Sequence, residues 1–96
     1  MISQEYCEKL TGLLKSFDKK TKAHFFIFGS ATRKKRFNDV DIGILTDKED
    51  TVDIFALKEY MDRTTFPFFV DIIDFNSAVR GFRDYVFDNE KIVWLT

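Results

Sequence analysis

Two aspartates, Asp39 and Asp41, stand one residue apart in the run Asp39-Val40-Asp41-Ile42-Gly43. On a strand that spacing puts both carboxylates on one face, while Val40 and Ile42 point to the other. Two like charges side by side on a half-buried strand are costly without a partner. A divalent cation is such a partner. Mg²⁺ in particular takes one or two carboxylates together with phosphate oxygens of a substrate. The competing reading is an edge strand carrying two solvated aspartates. Two other features favour the cation. An apolar run ends upstream at Gly29-Ser30, where glycine lets the backbone approach a phosphate closely. The Ser30 hydroxyl and the amides after it are hydrogen-bond donors, and a short helix starting at Ser30 would aim its positive end at the anion. Taken alone, Gly-Ser after a strand is a simple turn. Asp71, flanked by Val70 and Ile72, is again a charge inside an apolar run. A phosphate cradle and three convergent carboxylates on adjacent strands make a two-metal site, which orients a nucleophile and stabilises a leaving oxygen. Asp74 competes for the third position, but three residues from Asp71 it faces the other side of a regular strand.

The remaining chemistry-bearing residues carry weaker signals. Arg33-Lys34-Lys35-Arg36 is a basic run that reads either as a solvated loop or, beside a carboxylate pair, as a phosphate-facing segment. His24, the one histidine, opens a buried strand and reads as structural. Trp94 and Phe66-Pro67-Phe68-Phe69 read as core rather than as a platform for stacking bases. Cys7 is the single cysteine, so no internal disulfide and no zinc cluster is expected. Its neighbours suggest a buried or half-buried helix position.

These residues need elements to hold them. Residues 3–18 are predicted as an amphipathic helix with Ile2, Tyr6, Leu10, Leu13, Leu14 and Phe17 on one side and Ser3 as N-cap. Residues 23–28 are a short continuous apolar run, the look of a strand buried on both faces. Residues 40–45 make a second strand, closed by Thr46-Asp47-Lys48, which can cap the next element. Residues 50–63 suit a helix with Val52, Phe55, Leu57, Tyr60 and Met61 on its apolar side, and Pro67 prevents its continuation. Residues 68–75 form a third strand. Asn76-Ser77 signal a turn and N-cap ahead of a helix over 78–88, with Val79, Phe82, Tyr85 and Val86 on one side. Residues 91–95 form a last strand. The order α-β-(short α)-β-α-β-α-β predicts an α/β or α+β domain, with helices packed on a small mixed sheet of about four strands.

Bulk properties set limits. The 96 residues make one domain, 1–96. Twelve phenylalanines offset the limited core of so short a chain, and a partner subunit or oligomerisation would add stability. Fifteen basic residues balance sixteen acidic ones, so the whole-molecule field does not favour nucleic acid. No apolar run reaches the length of a membrane span. The N-terminus lacks the charged-then-apolar order of a signal peptide. A cytosolic protein is expected.

The segments Phe28-Gly29-Ser30, Asp39-Val40-Asp41-Ile42-Gly43, Val70-Asp71-Ile72-Ile73-Asp74-Phe75, Phe82-Arg83 and Glu90-Lys91-Ile92-Val93-Trp94 together resemble the DNA polymerase β-like nucleotidyltransferase superfamily. The short length points to its minimal nucleotidyltransferase group. The resemblance spans about residues 24–95, and the combined pattern is specific where each piece is not. It implies the nucleotidyltransferase fold, with Gly29, Ser30 and Arg33 binding the triphosphate and Asp39, Asp41 and Asp71 as catalytic metal ligands for Mg²⁺, two ions in all. Asp71 would also help deprotonate the acceptor hydroxyl. It further implies transfer of a nucleoside monophosphate, AMP from ATP, to a hydroxyl such as a tyrosine of a HEPN-type toxin, which is an antitoxin role. The alternative is a catalytically weak module that neutralises such a partner by contact. The loop between Ser30 and Asp39 departs from the usual pattern: it is shorter and lacks an internal glycine. Asn38 stands where a serine commonly precedes the carboxylate pair.

Overall fold

Phe25 and Ile27 point to one side of a four-stranded sheet and Phe26 and Phe28 to the other, and each pair belongs to its own core. The computed structural model describes residues 1–47 and 49–96; Lys48, part of the cap expected ahead of the second helix, lies outside them. The elements in chain order are α1 (Gln4–Phe17), β1 (Ala23–Phe28), a 3₁₀ turn (Gly29–Thr32), β2 (Asp39–Thr46), α2 (Ile54–Asp62), β3 (Phe69–Asp74), α3 (Arg80–Asn89) and β4 (Val93–Trp94). This is the predicted order, on a mixed sheet arranged β3-β2-β1-β4. β1 is antiparallel to both β2 and β4, whereas β2 and β3 run parallel.

The larger core lies between the sheet and helices α1 and α2. Leu10 and Leu14 of α1 and Leu57 and Met61 of α2, each pair one turn apart, meet Phe25, Ile27, Val40, Ile42, Ile44 and Ile72. Fully burying such a side chain stabilises by about 1.5–3 kcal/mol. Ser3 caps α1 by accepting from the Tyr6 amide at 3.2 Å. The smaller core is aromatic. Phe26, Phe28, Phe75 and Val86 are buried under α3, and the Phe26 ring lies 4.9 Å from both Phe75 and Trp94.

Several expectations are corrected. The second helix starts at Ile54, not at residue 50, because Asp53 is its cap and accepts from the Ala56 amide at 3.0 Å. Phe55 is 72% exposed: two residues from Leu57, it falls on the far side of a short helix. Asn76 does not cap α3. Its side-chain amide pairs with both backbone groups of Thr46 at 2.8 Å, and α3 begins after Val79 with no side-chain cap. Val79, Phe82 and Tyr85 are exposed, which leaves Val86 as the buried residue of that helix. The last strand shrinks to two residues. His24 is exposed rather than buried, and so are Trp94 and Phe69, while Phe66 is core. No helix among the described residues is long and apolar enough to cross a membrane.

Gly43 pairs with Phe26 across the β1–β2 ladder, and the Phe26 ring occupies the space a side chain at Gly43 would need. That ring is fully buried among other aromatics and has nowhere to move. Gly43→Ala is therefore expected to destabilise the domain by about 1–3 kcal/mol, the usual cost of overpacking a core. A lower urea midpoint at unchanged slope is the expected result.

Candidate active site

Strand register brings the predicted carboxylates together. In the parallel β2–β3 ladder Asp41 is the partner of Asp71, and in the antiparallel β1–β2 ladder it is the partner of Phe28. Cross-strand partners share a face. Asp39, two residues before Asp41, lies on that face too. It is the face of Phe26, Phe28 and α3, opposite the larger core, so Val40, Ile42, Val70 and Ile72 can be apolar while the residues between them carry charge. Asp74 aligns with Ile44 instead. Its carboxylate accepts from the Asn76 amide at 2.8 Å and from the Ser77 hydroxyl at 3.1 Å, which fixes the turn after β3.

Gly29 stands above this group in a left-handed conformation, φ +77°. The Asp41 carboxylate fills the space where a side chain at position 29 would go. Glycine is required there twice over, for its backbone angle and for the close approach. Ser30 follows in the turn Gly29–Thr32, and its carbonyl accepts from the amides of Arg33 at 3.1 Å and Lys34 at 2.8 Å. The turn is tied down elsewhere: Thr32 donates its hydroxyl to the Gly29 carbonyl at 2.7 Å, and the Ile2 amide donates to Ala31 at 2.7 Å. The helix expected from Ser30 is thus a four-residue 3₁₀ turn. It is too short to sum a macrodipole, so any anion here would depend on individual amides and the serine hydroxyl.

The electrostatics are one-sided. Burial pushes the Asp41 carboxyl above its ordinary value of 3.8, and the neighbouring charges of Asp71, Asp39 and Glu90 push it further. The basic run does not answer this charge. Among the described residues the one ion pair is Arg80–Asp84, on the surface of α3. Arg33, Lys34, Lys35 and Arg36 are all exposed. Arg33 lines a 230 Å³ cavity together with Tyr85, Asn89, Glu90 and Lys91.

Hard carboxylate oxygens without a cationic partner fit a hard divalent ion. The trio is not a finished cage, however: among the described residues no group of three or more His, Cys, Asp or Glu stands ready to hold a metal ion. The spacing explains this. Neighbouring strands lie about 4.8 Å apart and alternate residues along a strand about 6.7 Å apart, and like charges spread when nothing neutralises them. A Mg²⁺ ion that draws most of its ligands from phosphate and water needs only one or two of these carboxylates at once.

Sequence reasoning did not single out Glu90 as a neighbour of Asp41. The signal was topological. β4 pairs with β1 so that Val93 meets Ile27, which returns the residues just before β4 to the Gly29 end of the sheet.

The family described as polymerase beta, nucleotidyltransferase, matches residues 8–96. Among solved structures, the fold is similar to a chain from a crystal structure of a mutant toxin–antitoxin complex, MntA–HpeT. The TM-score is 0.69 and the identity 26%, over 100% of this chain and 75% of that one. No curated protein matches the sequence significantly.

The raised Asp41 pKa sets a pH dependence without metal. A carboxyl that is harder to ionise in the folded state contributes stability below its unfolded value, and this is lost as pH rises through the folded value. Asp41→Asn removes that loss. In EDTA the melting temperature of Asp41→Asn minus that of wild type is therefore expected to be larger at pH 7 than below pH 3.8. Thermal melts at the two pH values check the sign.

Proposed function

The chain belongs to the polymerase β-type nucleotidyltransferase family, and from that premise we propose that it transfers a nucleoside monophosphate, AMP from ATP, to a hydroxyl acceptor. The observation that carries the reading is the alignment of Asp41 with Asp71, directly under Gly29. In this reading Gly29, Ser30 and Arg33 hold the triphosphate, and Asp39, Asp41 and Asp71 hold Mg²⁺, two ions when loaded. The bound metal supplies charge neutralisation at the phosphates. The chain's own residues position the substrates. The acceptor oxygen attacks the α-phosphorus, its proton passes to the Asp71 carboxylate, and pyrophosphate departs with the electrons of the broken P–O bond. Such chemistry depends mainly on positioning and electrostatics, which a small rigid sheet can provide.

Likeness to a chain of a toxin–antitoxin complex supports a protein acceptor. We assign this chain an antitoxin role in the cytoplasm, with a tyrosine hydroxyl of a HEPN-type toxin as the acceptor. A second reading, a module that neutralises the partner by contact alone, draws on the exposed apolar residues Phe69, Tyr85 and Trp94.

Asp71→Asn separates the two. The amide keeps the shape but cannot take the proton. Binding of Mg–ATP is expected to persist while transfer slows at least roughly a hundredfold, the lower range for an acid–base group. Labelled ATP and mass spectrometry of the partner measure transfer, beside growth rescue with the partner expressed. Rescue by wild type with no added nucleotide, and equal rescue by the variant, would overturn the enzymatic reading.

A further inference from the structure

The chain has three tyrosines, Tyr6, Tyr60 and Tyr85, and the fold treats them differently. The Tyr60 hydroxyl is engaged: it donates to the Leu13 carbonyl at 3.0 Å. Tyr6 packs edge-on against Phe66 and Phe68, beside the larger core and so across the sheet from the carboxylates. Tyr85 stands on α3, on the carboxylate side, and is 59% exposed. The side-chain hydrogen bond at this residue goes to its backbone carbonyl, from the Asn89 amide at 3.0 Å, and the phenol hydroxyl is unengaged among the described residues.

Packing sets Tyr85 against the site. The Phe82 ring lies 6.5 Å from that of Phe28, the β1 partner of Asp41, and Val86 is buried in the same aromatic core. Tyr85 is one turn past Phe82, on the same side of the helix. It lines the 230 Å³ cavity with Arg33, Asn89, Glu90 and Lys91. Glu90 is close enough for its charge to act on Asp41, and Arg33 directly follows the turn Gly29–Thr32. A free hydroxyl thus shares a cavity with residues that border the carboxylates on one side and the turn on the other.

We propose that this hydroxyl is itself an acceptor, and that the chain transfers AMP from ATP to its own Tyr85. The inference rests on the nucleotidyl-transfer reading above and extends it to a site of self-modification. The Tyr85 oxygen attacks the α-phosphorus and forms a phosphodiester with AMP. The bond from the α-phosphorus to the oxygen bridging the β-phosphate breaks, and its electrons leave with pyrophosphate. The phenolic proton passes to the Asp71 carboxylate. An acceptor carried on the same chain needs no encounter, so its effective concentration exceeds that of a free one. Its helix is seated by Phe82 and Val86, which leaves only the side-chain rotors of Tyr85 to adjust.

The test is incubation of the full chain, with no other protein, in Mg²⁺ and ATP labelled on the α-phosphate, followed by intact-mass and peptide mapping. Wild type is expected to take up a single AMP, on the peptide that holds Tyr85, at a rate per chain that does not change with protein concentration. Tyr85→Phe removes only a hydroxyl from an exposed side chain, keeps the fold, and is expected to take up no label. Asp71→Asn keeps Tyr85 and is expected to label at least roughly a hundredfold more slowly. Label on another residue, equal labelling of Tyr85→Phe, undiminished labelling of Asp71→Asn, or a rate per chain that climbs with protein concentration would overturn the proposal. Calorimetric titration of wild type with Mg–ATP tells its failure from that of the proposed function. If wild type binds Mg–ATP and takes up no label, self-transfer is wrong and the proposed function stands. If it binds no Mg–ATP, both fall.

Discussion

The parallel register of β3 on β2 is the constraint on which the rest of the molecule depends. Asp41 and Asp71 are neighbours only because Val40 aligns with Val70 and Ile42 with Ile72. These four apolar residues all face α1 and α2. A slip of one residue would turn Ile72 out of the larger core and carry Asp71 with it to the opposite face. The core thus fixes the site, since the residues that must be buried alternate with those that must not. Parallel pairing also requires a crossover, and α2 provides it. Its Leu57 and Met61 close over the face of the sheet opposite Asp39, Asp41 and Asp71. One helix therefore satisfies both the topology and the packing.

The second constraint is electrostatic. A chain with a formal net charge of −1 still concentrates negative charge at one end of its sheet, and among the described residues the nearby basic run makes no ion pair with those carboxylates. Burial and the neighbouring carboxylates raise the Asp41 pKa. The carboxylates are held beside one another by the backbone pairing of β2 with β3. Gly29 allows this arrangement, since the Asp41 carboxylate occupies the space a side chain at position 29 would need. The ties from Thr32 and Ile2 then keep the turn from relaxing outward.

Much of this was legible in the sequence, and the reason is periodicity. Strands with charge at alternate positions inside apolar runs announce both their face and their register, so Asp39, Asp41 and Asp71 were readable, as was the different orientation of Asp74. Helix α1 was readable from its cap and its stripe. What failed were residues whose fate depends on distant elements. Trp94 and Phe69 are apolar and were assigned to the core, yet each lies on an edge strand, β4 or β3, of an open sheet, where the described residues leave Trp94 52% and Phe69 78% exposed. Asn76 has the residue type of a helix cap, but the two backbone groups of Thr46 lay closer to hand. The place of Glu90 and Lys91 beside the site needed the pairing of β4 with β1, and a two-residue strand leaves almost no pattern to read.

That short strand explains why so much aromatic mass sits on the site's side of the sheet. β4 has only two paired positions, too few to hold the wall that carries Glu90 and Lys91. The smaller core supplies the rest. Phe26 packs against Phe28, Phe75, Phe87 and Trp94, which joins β1, the end of β3, α3 and β4 through one ring. Aromatic pairs in tilted or edge-on contact add about 0.5–1.5 kcal/mol each beyond burial. A cluster of this kind anchors α3 where hydrogen-bonded strand is scarce. Gly43 belongs to the same device, since the Phe26 ring lies over it only because position 43 has no side chain. The glycine of the Asp39-Val40-Asp41-Ile42-Gly43 run thus serves packing: it seats the ring that holds in place the helix bordering the carboxylates.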